Sequence, residues 1–149
     1  MNESSDEDKR AFVVVIAPEQ LHDDEMAKKL TKLKNDFGDF MKKENKNNYC
    51  EITESKMIEA KKKLNTIIQT THTENLIVVV IADGFYSDDG EAIIFDDCYT
   101  LLDSFIHKII YLKKDDRQCK IKPSFLNNTF LLRRKLHTDE LSLKRISSI

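Results

Sequence analysis

The sequence predicts an α/β fold: a mostly parallel sheet flanked by helices. Two apolar runs carry this reading. Phe12 to Ile16 ("FVVVI") and Leu76 to Ile81 ("LIVVVI") are apolar on both alternating faces, as strands covered on both sides are. The chain between them has helical spacing, and parallel strands need crossovers of that kind. At 149 residues the whole has the size of one domain.

Taken in order, residues 1–10 ("MNESSDEDKR") read as a solvated tail without the basic start and apolar stretch of a signal peptide. The first strand closes at Ala17-Pro18. From Asp23 to about Lys43, Met26, Leu30, Leu33, Phe37, Phe40 and Met41 fall at offsets of three and four, which predicts a long amphipathic helix. Gly38 is where that helix is expected to bend or stop, because glycine costs about 1 kcal/mol in a helix interior. A polar loop leads to a short strand at Tyr49 to Ile52. A second helix follows, with Thr53 as its N-cap and Met57, Ala60, Leu64, Ile67 and Ile68 on its apolar face. The strand Leu76 to Ile81 is expected to turn at Ala82-Asp83-Gly84, with a short β excursion at Ala92 to Phe95. Tyr99 to Leu112, bearing Leu101, Leu102, Phe105, Ile106, Ile109 and Ile110, predicts a third helix. A charged connector then reaches a shorter strand in "SFLNNTFLL". The globular part is placed at 11–132, and 133–149 is read as a tail or a segment covering the sheet edge.

Composition excludes several partners. Net charge is −2, from 24 basic and 26 acidic residues, so the chain as a whole is not built to attract nucleic acid or an anionic membrane. No apolar run approaches the ~20 residues that span a bilayer. Lys28-Lys29 and Lys61-Lys62-Lys63 lack interleaved aromatics and read as solvated helix surface. Cys50, Cys98 and Cys119 have no metal-type spacing, and an odd number leaves a free thiol, which suits a reducing, cytoplasmic setting. His22, His72, His107 and His137 form no ligand pattern, and no glycine-rich phosphate loop is present, so no cofactor or metal is expected. Asp83 is the one residue set by position for function, since open parallel sheets bind ligands at the carboxyl ends of their strands. The plainer reading of Asp83-Gly84 is a turn. The acidic group Asp83, Asp88, Asp89, Glu91, Asp96 and Asp97 follows no Ca²⁺-loop spacing and reads as solvated loop; a metal-dependent hydrolase centred on Asp83 is the alternative it leaves open.

The run "EITESKMIEAKKKLNTIIQTTHTENLIVVVIADGFYSDDGEAIIFDD" resembles the central part of a caspase catalytic domain. That family has a Thr-initiated helix, a polar gap, a buried strand, Ser-His-Gly, a glycine-containing loop and a hairpin. Further on, "CKIKPSFLNNTFLL" is similar to the family's Lys-Pro-Lys segment and the strand that carries its catalytic cysteine. The resemblance spans residues 11–132 and implies a three-layer caspase-like fold, truncated after the large-subunit portion. It sets Ala82-Asp83-Gly84 where the family has Ser-His-Gly, so that Asp83 stands for the general base and Gly84 is the retained turn glycine. An ungapped reading from Lys122-Pro123 sets Leu131 at the nucleophile, close to the interval of about 50 residues between the family's histidine and cysteine. Leucine has no thiolate and aspartate lacks the near-neutral pKa of imidazole, so the resemblance implies a degenerate dyad and no peptidase activity. The arginine that the family uses to grip substrate has no counterpart in "IAPEQLHDDEM".

The resulting expectation is a non-catalytic caspase homologue that regulates apoptosis or a caspase pathway by binding a caspase, its zymogen or an adaptor. Its partner surface is expected at the edge of the "SFLNNTF" strand, through Phe125, Asn127 and Thr129, where a second copy of the chain would also pair. The segment "LHTDELSLKRISSI" is the rival for that edge, folding back as a helix or strand. Within it, Leu136-His137-Thr138-Asp139 resembles a caspase cleavage tetrapeptide, but the plainer reading is a helix start with Thr138 as N-cap. A plain α/β interaction module is the remaining alternative.

Overall fold

The two apolar runs lie side by side. In the computed structural model, which describes residues 11–19, 25–44, 48–70, 75–106, 129–135 and 141–146, β1 (Phe12–Ile16) pairs in parallel with β3 (Leu76–Ser87), Phe12 opposite Leu76 and Ile16 opposite Val80. On the other side of β1 lies β2 (Tyr49–Ile52), also parallel. The far edge of β3 is taken by β6 (Thr129–Lys135) in parallel, and β7 (Leu141–Ile146) is antiparallel to β6. Strands β4 (Gly90–Ile94) and β5 (Tyr99–Leu101) form an antiparallel excursion from the end of β3. Since β6 holds one edge of β3 as far as Gly84, β4 continues the edge that β1 leaves free after Val80. Among the described residues the result is one mixed, mostly parallel seven-stranded sheet.

Helices cover both faces. α1 (Glu25–Glu44) sets Leu30 and Phe37 against Val15, Ala17 and Ile81. On the opposite face, α2 (Met57–Thr70) sets Ala60, Leu64 and Ile68 against Val14, Ile16, Val78 and Val80, joined by Leu102, Phe105 and Ile106 from the helical residues 102–106. The strand period of two therefore sends successive valines to different cores, which is why both runs read as continuously apolar.

Several expectations are corrected. α1 does not stop at Gly38: the helix runs on to Glu44, and Gly38 is buried where β2 approaches. A Cβ there would collide with the Glu51 carboxylate and lie 2.9 Å from the Tyr49 hydroxyl. Thr53 does not cap α2, which begins four residues later. Its Met57 N–H instead donates to Asp97 Oδ1 at 3.1 Å, and Asp96 N–H donates to the Ser55 carbonyl at 2.8 Å. Tyr99 to Leu101 is strand, so helical residues start at 102, while Ile109 and Ile110 lie outside the described residues. Finally, β3 does not turn at Ala82-Asp83-Gly84. It continues to Ser87, because β4 and β6 pair with that stretch and satisfy its backbone. The turn falls at Asp88-Asp89, and Gly90 carries the positive φ of 120°.

Candidate functional site

The ladder between β3 and β6 brings Asp83 and Leu131, the positions that the resemblance implies for a dyad, onto neighbouring strands and then separates them. Leu131 is opposite Val80, and the residue in register with Asp83 is Arg134. Three residues of strand put Asp83 about 10 Å beyond Leu131 along the sheet. An odd number of steps also turns the side chains to opposite faces. Leu131 is fully buried in the core with Val78, Val80 and Ala82, whereas Asp83 follows the parity of Ile81 on the α1 side. Asp83 is 1% exposed and engaged in a polar interaction. Gly84 is a buried ladder residue between Ile93 and Lys135, not a turn glycine.

The edge position Thr129 is likewise corrected. It is fully buried, between Val78 of β3 and Ile146 of β7, so the C-terminal segment supplies the strand that closes this edge. Phe125, Asn127, the Leu136–Asp139 tetrapeptide, Cys119 and all four histidines lie outside the described residues.

The acidic group is spread out. Asp83 is buried in β3, Asp88 and Asp89 are exposed in the hairpin turn, and Glu91 on β4 binds Lys144 of β7. Lys144 also lies 5.7 Å from the Tyr86 ring centroid. Asp97 works as a helix cap, and the Met57 N–H holds its carboxyl below the usual carboxylate range. Among the described residues, no three acidic, cysteine or histidine side chains converge on a possible metal site. The two described thiols are not activated. Burial pushes Cys50 up against the opposing pull of Lys63, and burial followed by Asp97 pushes Cys98 up.

A cleft of about 630 Å³ opens at the carboxyl end of β1, beside the middle of β3, lined by Ala17, Pro18, Thr53, Ile81 and Ala82 and by polar residues of α1 including Lys32, Lys34 and Asp36. It is the crevice in which open α/β sheets take ligands. Its walls offer the ammonium groups of Lys28, Lys32 and Lys34, the hydroxyls of Thr31 and Thr53 and the carboxylates of Glu19 and Asp36. Sequence reading missed the α1 lysines here because on a helical wheel they fall on the solvated side. No family model, curated protein or solved structure matches the chain.

Proposed function

We propose that the chain is a non-catalytic caspase-like domain that regulates a caspase pathway by binding a caspase, its zymogen or an adaptor. One observation carries the non-catalytic part: β6, the strand that would hold the nucleophile, reads Thr-Phe-Leu-Leu-Arg-Arg-Lys and has no thiol. Its single hydroxyl, on Thr129, is fully buried. This holds whether the nucleophile's place is assigned to Leu131 by sequence interval or to Arg134 by its register with Asp83. The caspase part is supported by chain order. A buried parallel strand is followed by a hairpin excursion, helical residues and a second parallel strand on its free edge, as the resemblance implies. A scaffold kept without its chemistry is free to act through its surface.

The test is a binding titration of the purified chain against caspases, zymogens and adaptors of its organism, or of the host if the source is viral. At least one partner is expected with Kd below about 10 μM, near −7 kcal/mol. A complete panel with nothing tighter would overturn the proposal.

A further inference from the structure

The cleft at the carboxyl end of β1 has two unlike sides. α1 runs antiparallel to β2, since Gly38 and Lys42 lie at Tyr49 and Glu51 while residues 28–36 line the cleft beyond them. Lys34 comes one turn before Gly38, about 6 Å along the helix, and Thr53 comes two residues after Glu51, about 6.6 Å along the line of β2. The two side chains therefore arrive at the same level, and both are half-buried. Leu30, a turn earlier still, faces the sheet, so Lys34 stands at the border of the buried stripe of α1. Lys32 and Asp36 are each two residues from Lys34, about 160° round the helix, and four residues from one another. They are exposed, and their opposite charges offset each other on the outer side of the cleft.

The inner side carries one charge of each sign. Glu19 is fixed beside Thr53, because its N–H donates to the Thr53 carbonyl at 3.0 Å. Lys34 approaches the same residue from the helix. Among the described residues no side chain hydrogen-bonds or pairs with Lys34, Glu19 or the Thr53 hydroxyl. Glu51, the acid one turn deeper, is already occupied: its carboxylate accepts the Tyr49 hydroxyl at 2.8 Å and lies 3.9 Å from Lys42. Lys34 and Glu19 thus flank Thr53 without pairing with one another, and the space between them suits a ligand that carries both signs. Beneath them the floor is aliphatic, made by Ala17, Leu30 and Ile81.

We propose that the inner side of the cleft binds an aliphatic α-amino acid, its carboxylate on the Lys34 ammonium and the Thr53 hydroxyl, its ammonium toward Glu19, and its side chain on Ala17, Leu30 and Ile81. A simple anion would meet Glu19, and a simple cation would meet Lys34. A zwitterion answers both charges, and an aliphatic group answers the floor. The place agrees with the rule that open α/β sheets take ligands outside the carboxyl ends of their strands. The inference uses no feature of the caspase likeness, and its failure would leave that reading to its own binding screen.

The test titrates the full chain with L-leucine and with two analogues of its skeleton: 4-methylpentanoate, which lacks the ammonium, and 3-methylbutylamine, which lacks the carboxylate. In isothermal titration calorimetry L-leucine is expected to bind with Kd below about 1 mM, and each analogue at least about tenfold more weakly. Lys34→Met and Glu19→Gln are each expected to weaken L-leucine by about tenfold or more, while Lys32→Met on the outer side leaves its binding unchanged. None of the three positions is buried, so unchanged circular dichroism and melting temperature check the fold. Absence of L-leucine binding, or insensitivity to either Lys34→Met or Glu19→Gln, would overturn the proposal. Binding of 4-methylpentanoate as tight as that of L-leucine would overturn it in favour of a plain anion site, and equally tight 3-methylbutylamine in favour of a plain cation site.

Discussion

Leu131 is fully buried, and its role is packing. Leu131→Ala removes core methyl groups without a way to close the space, so a loss of about 2–5 kcal/mol in urea unfolding is expected. Installing a dyad is a separate matter. Asp83→His with Leu131→Cys would install a base and a thiol on neighbouring strands, but they would lie on opposite faces and about 10 Å apart along the sheet, beyond proton-transfer reach. The double variant is expected to cleave no peptide with aspartate at the scissile position. Its thiol at 131 should react with a disulfide reagent far more slowly than half-buried Cys50, compared in variants retaining one thiol each. Asp-specific turnover lost on reverting position 131 would show the geometry to be wrong.

At the scale of elements, α2 and the β4–β5 loop hold one another. Asp97 Oδ1 accepts the Met57 N–H that the helix itself leaves unpaired, and the preference of this donor for the ionised carboxylate depresses its pKa. A carboxyl with a lowered folded-state pKa contributes stability above its unfolded value, about 3.9, and loses it as pH falls through the folded value. Asp97→Asn keeps an acceptor but removes the charge. It is expected to lower the melting temperature at pH 7, with the gap from the parent chain constant down to about pH 5 and closing below about pH 4. A gap that widens in acid would sink this account. The β3–β4 hairpin depends on a different residue. At φ 120° Gly90 occupies a conformation that a Cβ disfavours, although nothing lies within 4 Å to obstruct one. Gly90→Ala should therefore cost about 1–3 kcal/mol through backbone strain alone. A neutral effect in chemical denaturation would mean that the turn relaxes.

Across the whole molecule, β7 is the strand that keeps β6 from being an edge. Its antiparallel register runs from Thr129 opposite Ile146 to Arg134 opposite Leu141. Lys144 ties it to Glu91 of β4 and lies over the Tyr86 ring, so β7 also anchors the hairpin excursion. A chain truncated after Lys135 would leave the outer backbone groups of β6 unpaired, and its apolar stretch Phe130 to Leu132 would be a template for another chain. Such a chain is expected to self-associate at micromolar concentration where the full chain has a lower mass, as read by light scattering. Equal masses would show that β7 does not guard the edge.

What sequence alone determined was local. FVVVI and LIVVVI declared themselves as doubly covered strands, and Leu64 and Ile68 marked the buried stripe of α2, because a period of two or of 3.6 survives in one dimension. The tertiary structure decided wherever a partner distant in the chain outweighed a local preference. Asp97 displaced Thr53 as the cap of α2, β2 took advantage of Gly38 in mid-helix, and pairing with β4 and β6 drew Asp83-Gly84 into a strand despite its turn character. The candidate site divided in the same way. The neighbouring of the strands bearing Asp83 and Leu131 was legible from the resemblance, but their opposite faces were not, because facing depends on register. Register is set by which backbone groups pair across the sheet, a choice made only when the strands meet.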